Sequence, residues 1–296
     1  MDKLTYYIVD VFAIEEKYTG NQLAVFTTGA ENLSDSQMQR IAKEINYSET
    51  TFVISSEMYK GGYNVRIFTP AQEIPFAGHP TLGTAFIIQS EIIQQPVTRI
   101  TLNFKVGQIP VNIETQNSDT IWWMQQNPPT FHQTLSPDAI APVLNLDPAD
   151  IDTRFPIQEV STGLPFIIVP LKNLAAIKRA KINREKYFDL IRTTDAKCIL
   201  IFSPEPYHPD SNISVRMFAD YLGVPEDPAT GSANGCLAGY LVRHQYFGTD
   251  QINLRADQGY EISRPSLLLL KAEDKVSEIS VFIGGKVTLV AKGEFV

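Results

Sequence analysis

Only two cysteines occur in the 296 residues, Cys198 and Cys236, far apart and outside any CxxC or Cys/His spacing. That excludes a disulfide framework or a structural zinc as the organising device and fits a reducing cytoplasm. Histidine is scarce too, and of its four positions His132, His208 and His244 show no ligand spacing. No stretch approaches the ~18 consecutive apolar residues of a membrane span. Met1-Asp2-Lys3-Leu4-Thr5 lacks the basic and then apolar start of a secretory signal, and Asp10 interrupts the first hydrophobic run. Basic charge is in deficit, 25 Lys+Arg against 33 Asp+Glu for a formal net charge of −8. That sign opposes phosphate backbones and anionic lipid, so no nucleic acid and no membrane partner is expected, while the scarce cysteines and the absence of a visible signal give a cytoplasmic location as the expectation. The one basic run, Lys178-Arg179-Ala180-Lys181 with Arg184 and Lys186, alternates with Ile177 and Ile182 and reads as a solvated helix face.

What is present is the composition of a globular chain, 44% hydrophobic and 20% charged, long enough for two domains or one large barrel-like one. Strand-like segments dominate: Tyr6 to Phe12, Leu23 to Phe26, Thr51 to Ile54, Tyr63 to Phe68, Arg99 to Lys105, Ile109 to Thr115 and Ile121 to Gln125. A helix is expected over Ser34 to Ile45, where Met38, Ile41, Ala42 and Ile45 recur at helical spacing. A second starts at Pro80, a residue pre-shaped for the first helical turn. A third, Ala229 to Val242, carries Ala233, Gly235, Ala238 and Gly239, small residues that let strands approach a central helix. Asn127 to Ala149 reads as a connector, and Trp122-Trp123 as packing on one face with a lobe or dimer contact on the other.

The second half repeats the first. Gly78-His79-Pro80-Thr81-Leu82-Gly83-Thr84-Ala85 lies over Glu226-Asp227-Pro228-Ala229-Thr230-Gly231-Ser232-Ala233, sharing Pro, Gly and Ala in register. Arg66-Ile67-Phe68 lies over Arg216-Met217-Phe218, and Gly20 to Phe26 over Gly163 to Val169, in the same order and about half a chain apart. The reading is duplication into two β-rich lobes, each wrapping a helix. Lobe boundaries are placed at 1–126 and 127–280, with 281–296, including a Gly284-Gly285 hairpin, returning to the first lobe.

Two helix starts in corresponding places offer two sets of unpaired N–H groups, a setting that favours a carboxylate guest. On this alignment His79 and Asp227 are equivalent. Taken alone, Asp227 is a helix cap, His79 a cap or buried histidine, and Glu49 an exposed strand-end charge. A partly desolvated Glu49 can instead take and return a proton. Cys198 and Cys236 do not stand in matching places, and Cys236 reads as a core residue.

These residues carry a family resemblance. Val9-Asp10-Val11-Phe12, Gly20 to Phe26, Ser48-Glu49-Thr50-Thr51-Phe52-Val53, Arg66 to Pro70, Glu73 to Thr81, Asp227 to Ala233, Asp257-Gln258-Gly259 and Arg264-Pro265-Ser266 resemble, in order, the phenazine-biosynthesis PhzF-like isomerases. Ser263 departs from them where a glycine is expected. The resemblance implies an α+β, diaminopimelate-epimerase-like fold of two pseudo-symmetric lobes, each a rolled, mostly antiparallel sheet around a central helix, with the active site between them and a homodimer as the usual assembly. It implies a cofactor-independent isomerase, with no metal, that moves a proton within a small unsaturated carboxylic acid. Glu49 matches the family's acid/base carboxylate, and His79 and Asp227 its substrate-holding pair, so all three are expected in catalysis. Ser48, Gly78, Gly231 and Ser232 are expected to bind substrate. Related racemases use two opposed thiols before the two helices, and here those points fall on Ala77 and Asp227. A two-base racemase or epimerase, a lyase or hydrolase using the His/Asp pair, and a non-catalytic small-molecule or partner-binding protein remain the alternatives.

Overall fold

The computed structural model describes residues 4–14, 17–116, 119–275 and 277–296. Met1-Asp2-Lys3, on which the reading of the N-terminus partly rests, lie outside the described residues. The chain divides into two compact units, 1–125 with 284–296, and 126–283.

In the first unit the order is β1 (Leu4–Ala13), β2 (Asn21–Phe26), α1 (Asp35–Ile45), β3 (Glu49–Val53), β4 (Tyr63–Phe68), β5 (Glu73–Ile74), α2 (Gly78–Ile87), β6 (Arg99–Phe104) and β7 (Gly107–Gln116), followed by β8 (Asp119–Gln126), whose last residue falls in the second unit. β1 and β2 pair antiparallel, β2 and β3 parallel, β3 and β4 antiparallel, β4 and β5 antiparallel, β4 and β6 parallel, and β6 and β7 antiparallel.

The second unit begins with β9 (Thr130–Leu135) and α3 (Pro137–Ile140). It continues through β10 (Ile157–Ser161), β11 (Pro165–Pro170), α4 (Leu174–Arg179), α5 (Arg184–Leu190), β12 (Cys198–Ser203), β13 (Ile213–Ala219), β14 (Val224–Asp227), α6 (Gly231–Arg243), β15 (Gln251–Gln258) and β16 (Ser266–Lys275). From β10 to β16 the pairing repeats that of β1 to β7 step for step: antiparallel, parallel, antiparallel, antiparallel, parallel, antiparallel. Each unit is thus a mostly antiparallel sheet with the same connectivity.

Burial follows from two covered faces. Successive strand residues point to opposite sides. In β2 and β3, Ala24, Phe26 and Phe52 pack with Met38 and Ala42 of α1, whereas Leu23 lies against α2. This double cover explains why Thr50 to Val53 are all buried, a near-continuous run where a half-exposed strand would alternate. The Phe26 and Phe52 rings stack at 5.1 Å, and Phe68 meets Phe52 edge-on at 5.5 Å. In the second unit Ile167, Val169, Ile199, Ile201 and Phe218 pack with residues of α3, α4 and α5. All but two residues of α6 are buried. The small-residue face of α6 meets the end of β8 and the chain just after it: a Cβ on Gly235 would run into the Gln126 side chain, and one on Gly239 into Pro129.

Several expectations need correction. α2 starts at Gly78, with Ala77 as its extended cap, not at Pro80; α6 starts at Gly231, with Thr230 as its cap, not at Ala229. Pro80 occupies the third helical position, still inside the first turn where a missing N–H costs nothing, and Pro228 lies two residues before a cap. Asn127 to Ala149 is no connector, because β9 pairs antiparallel with β10. Gly284-Gly285 makes no hairpin: β17 (Glu278–Phe295) runs straight through it and pairs with β1 from Lys286 to Phe295. Trp122 and Trp123 are both buried, Trp122 edge-on to Phe86 and Trp123 over Gly284. Ser263 has φ of 58°, the left-handed conformation that explains why glycine suits the position. Among the described residues no helix is long and apolar enough to cross a membrane.

Candidate functional site

Glu49 opens β3, opposite Leu23 of β2. Its residue two further on, Thr51, shares its face, and the Thr51 hydroxyl is bonded to that of Thr84 on α2 at 2.8 Å. Glu49 therefore points toward α2, with its side chain 18% exposed rather than out in solvent. Its Oε2 lies 3.5 Å from Nε2 of His79, the second residue of α2.

Burial pushes the His79 imidazole down to about 3, against a smaller opposing effect from its hydrogen bond to the Gln22 main chain. The pair is therefore a carboxyl beside a neutral imidazole. Thr81 donates its hydroxyl to the Ala77 carbonyl at 2.7 Å, which locks the extended entry to the helix. Gly78 is buried at the first helical position, and Ser48 is half-buried just before Glu49.

In the second unit Asp227 ends β14, three residues before the Thr230 cap, and is 7% exposed. It is not a helix cap. Its Oδ2 accepts the hydroxyl of Thr230, and its main-chain carbonyl accepts from Nε2 of Gln258 at 2.8 Å. Gly231 and Ser232 form the first turn of α6, and the Gly231 carbonyl is held by Gln126 at 2.9 Å.

Each unit also carries the same arginine clamp. Arg66 on β4 grips Glu73 of β5 through Nε at 2.9 Å and Nη2 at 2.8 Å, and it lies 5.1 Å from the Phe68 ring. Arg216 on β13 grips Glu226 of β14 through Nε at 2.9 Å and Nη2 at 2.7 Å, and it lies 4.9 Å from the Phe218 ring. Bidentate pairing fixes orientation as well as distance. Glu226 immediately precedes Asp227 in one unit, and Glu73 opens β5, shortly before the Ala77 cap and His79, in the other. Arg216 also donates Nη1 to the carbonyls of Ile177 and Ala180, both at 2.8 Å, which brings four of its five N–H donors into hydrogen bonds.

The duplicated clamps set the structural equivalence, and it differs from the sequence alignment. Phe68 opposes Thr50 and Phe218 opposes Ile199, so Glu49 corresponds to Cys198. Ile67 opposes Ile74 and Met217 opposes Asp227, so Asp227 corresponds to Ile74. With Ala77 and Thr230 as caps, His79 corresponds to Ser232. The expectation that His79 and Asp227 are equivalent is thus overturned, whereas Cys198, at the Glu49 position, and Cys236, inside α6, stand in unlike places. The shared prolines misled the alignment because they sit at different distances from their helix caps.

Cys198 is a thiol pushed up to about 12, first by burial and then by the charge of Asp227. Cys236 is likewise pushed up to about 12 by burial and lies 3.6 Å from the Thr162 hydroxyl. Neither is a thiolate at neutral pH, and the two cap positions are Ala77 and Thr230, neither of them a thiol. The side chains of Thr230, Asn234 and Gln258 around Asp227 were not foreseen as site residues. The Asp257-Gln258-Gly259 motif was the available signal. Among the described residues no three His, Cys, Asp or Glu side chains are grouped as a metal would need.

The sequence profile of the phenazine biosynthesis-like PhzC-PhzF proteins matches residues 9–293. The chain is 32% identical over 300 residues to an uncharacterized isomerase of Clostridium acetobutylicum, covering 99% of this chain and 98% of that protein. It is 34% identical over 290 residues to the trans-2,3-dihydro-3-hydroxyanthranilate isomerase of Pseudomonas aeruginosa, covering 97% of this chain and 98% of that enzyme. The crystal structure of a PhzF-family phenazine biosynthesis protein from Bacillus anthracis superposes with a TM-score of 0.91 at 28% identity over 100% of both chains. The fold is the diaminopimelate-epimerase-like α+β fold.

Proposed function

The chain belongs to the PhzC-PhzF family of phenazine biosynthesis-like isomerases, and from that membership we propose that Glu49 moves a proton within a small unsaturated carboxylic acid. Glu49 takes the proton from a carbon beside a double bond, the electron pair shifts along the allylic system, and the same carboxyl returns the proton to a different carbon. Nothing is consumed, so the step balances without a co-reactant. His79 and Asp227 hold the substrate's polar groups. Ser48 and Ser232 supply hydroxyls, and Gly78 and Gly231 supply main-chain N–H groups.

The observation that carries this reading is a difference among helix starts. Ser136, Asn173 and Asn183 each accept a hydrogen bond from the first turn of α3, α4 and α5. At α2 and α6 the cap residue makes no such bond: Ala77 has no group to make it, and Thr230 turns its hydroxyl to Asp227. First-turn N–H groups left uncapped favour an anion by about 0.3 to 1 kcal/mol, or up to about 2 when partly buried. A substrate carboxylate is the guest that fits.

General acid–base catalysis contributes roughly 10² to 10⁴, and positioning in a water-poor setting supplies the rest. The neutral, 5% exposed His79 beside Glu49 is consistent with such a setting. The compound to test first is trans-2,3-dihydro-3-hydroxyanthranilate, which names the relative's activity. In heavy water, the account expects an isomerised product whose newly protonated carbon carries the substrate's own proton where Glu49 returns it directly, and deuterium where the carboxyl exchanges with solvent first. Binding of that acid, or of other unsaturated carboxylic acids, with no isomerisation would replace this reading by that of a non-catalytic binding protein.

A further inference from the structure

The Asp257-Gln258-Gly259 segment enters the site through hydrogen-bond polarity. Gln258 is fully buried on β15, the strand parallel to β13. Its Nε2 donates to the Asp227 main-chain carbonyl at 2.8 Å, and its Oε1 accepts from the Thr230 main-chain N–H at 3.4 Å. A carbonyl can only accept and a main-chain N–H can only donate. Two groups of fixed polarity therefore determine which way the Gln258 amide lies. Asn234, buried on α6, repeats the constraint: its Nδ2 donates to the Thr230 carbonyl at 3.0 Å and to Gln258 Oε1 at 2.8 Å. Gly259 follows with φ of +81°, and a Cβ there would come within 2.7 Å of the Pro228 carbonyl, so only glycine lets this strand end approach the Asp227-Pro228 turn so closely.

The consequence falls on Thr230. The second Nε2 proton of Gln258 is directed at Thr230 Oγ1, 3.3 Å away, which makes that oxygen an acceptor on one side. A hydroxyl has a single proton, and here it goes to Asp227 Oδ2. We infer that Gln258 is a positioning residue of the isomerase: it commits the Thr230 hydroxyl to donate to Asp227 and so presents Asp227 to substrate as an acceptor in one fixed rotamer. Thr230 gives up its ordinary capping bond to do so. This rests on the reading of Asp227 as a substrate-holding group.

The variants are chosen by polarity. Gln258→Glu keeps the shape but replaces the donor with an oxygen, which draws the Thr230 proton away from Asp227. Thr230→Val keeps the shape and removes the proton, while Thr230→Ser keeps it. Kinetics on trans-2,3-dihydro-3-hydroxyanthranilate are expected to show KM raised at least tenfold in Gln258→Glu and Thr230→Val. The same variants should keep kcat within about threefold, and Thr230→Ser should restore KM to near wild type. A uniform loss of substrate grip shows in KM, whereas general structural damage would not be rescued by serine.

Thr230→Val with an unchanged KM, beside an Asp227→Asn variant that has lost its grip, would overturn the inference. A wild-type KM and kcat for Asp227→Asn would instead remove the functional reading of Asp227, and with it the positioning role. The proton's direction can be read with no substrate at all, by neutron diffraction from deuterium-exchanged crystals. Deuterium on Thr230 Oγ1 pointing at Asp227 Oδ2 is expected, and deuterium pointing at any other acceptor overturns the inference.

Discussion

Nε2 of His79 stands 3.5 Å from Oε2 of Glu49 on a ring that burial keeps neutral. An imidazolium at that distance would hold the carboxylate as a permanent ion pair and oppose any uptake of a proton. A neutral ring leaves Glu49 able to cycle. The local fold produces this directly: His79 is the second residue of a buried helix, and Glu49 opens the strand bonded to that helix through Thr51 and Thr84.

The neutral histidine has a signature in stability. Its folded value of about 3 lies below the ordinary value of about 6.5, so below pH 6.5 the unfolded chain binds the proton that the folded chain refuses. Unfolding free energy should be unaffected by His79 above about pH 6.5 and should fall as pH drops toward 3, by up to about 1.4 kcal/mol per pH unit from this group. Denaturant titrations of wild type and His79→Gln from pH 7 to pH 4 should give the variant the shallower slope; parallel curves would show that the ring protonates in place.

The duplicated clamps should differ in cost. Arg216 and Glu226 are nearly buried, with side chains 7% and 9% exposed, whereas Arg66 is 24% exposed and shares Glu73 with Lys105. Removing one partner of a buried pair strands the other, so Arg216→Ala should lose about 3 to 5 kcal/mol. Arg66→Ala should lose less, about 1 to 2 kcal/mol, because water and Lys105 can serve Glu73. Equilibrium unfolding of the two variants checks the order, and equal losses would contradict it.

The strand that Glu49 opens was legible because its signal is local, whereas the fold class came from motifs spread along the whole chain. The Glu49 segment, the Gly78-His79-Pro80 turn and the apolar run of β3 can each be read within a few residues. The equivalence of Glu49 with Cys198 could not be read, since the two share no chemistry and only the pairing of β3 with β4 and of β12 with β13 reveals it. Helix starts were misplaced because Pro80 lies inside its helix while Pro228 lies before a cap. The Gln258, Asn234 and Thr230 network joins residues from a strand, a helix and a turn, and no spacing rule connects them.

The position of Cys198 invites a direct check on thiol chemistry. Held as a thiol up to about 12 by burial and by Asp227, it should resist iodoacetamide at pH 8 in the native protein. Cys198→Ser should keep kcat/KM within about threefold of wild type. Rapid native alkylation with loss of turnover would show a thiolate in the site and revive a two-base racemase.

The central claim is that one carboxyl carries the proton. Glu49→Gln keeps the volume and the hydrogen-bonding capacity of the side chain but cannot shuttle a proton. The most direct test is the turnover of wild type and Glu49→Gln on the same unsaturated acid, followed by proton NMR in heavy water with thermal unfolding recorded alongside. The account predicts a fall in kcat of about 10² or more with the unfolding temperature unchanged. Isomerisation by Glu49→Gln at the wild-type rate would contradict it.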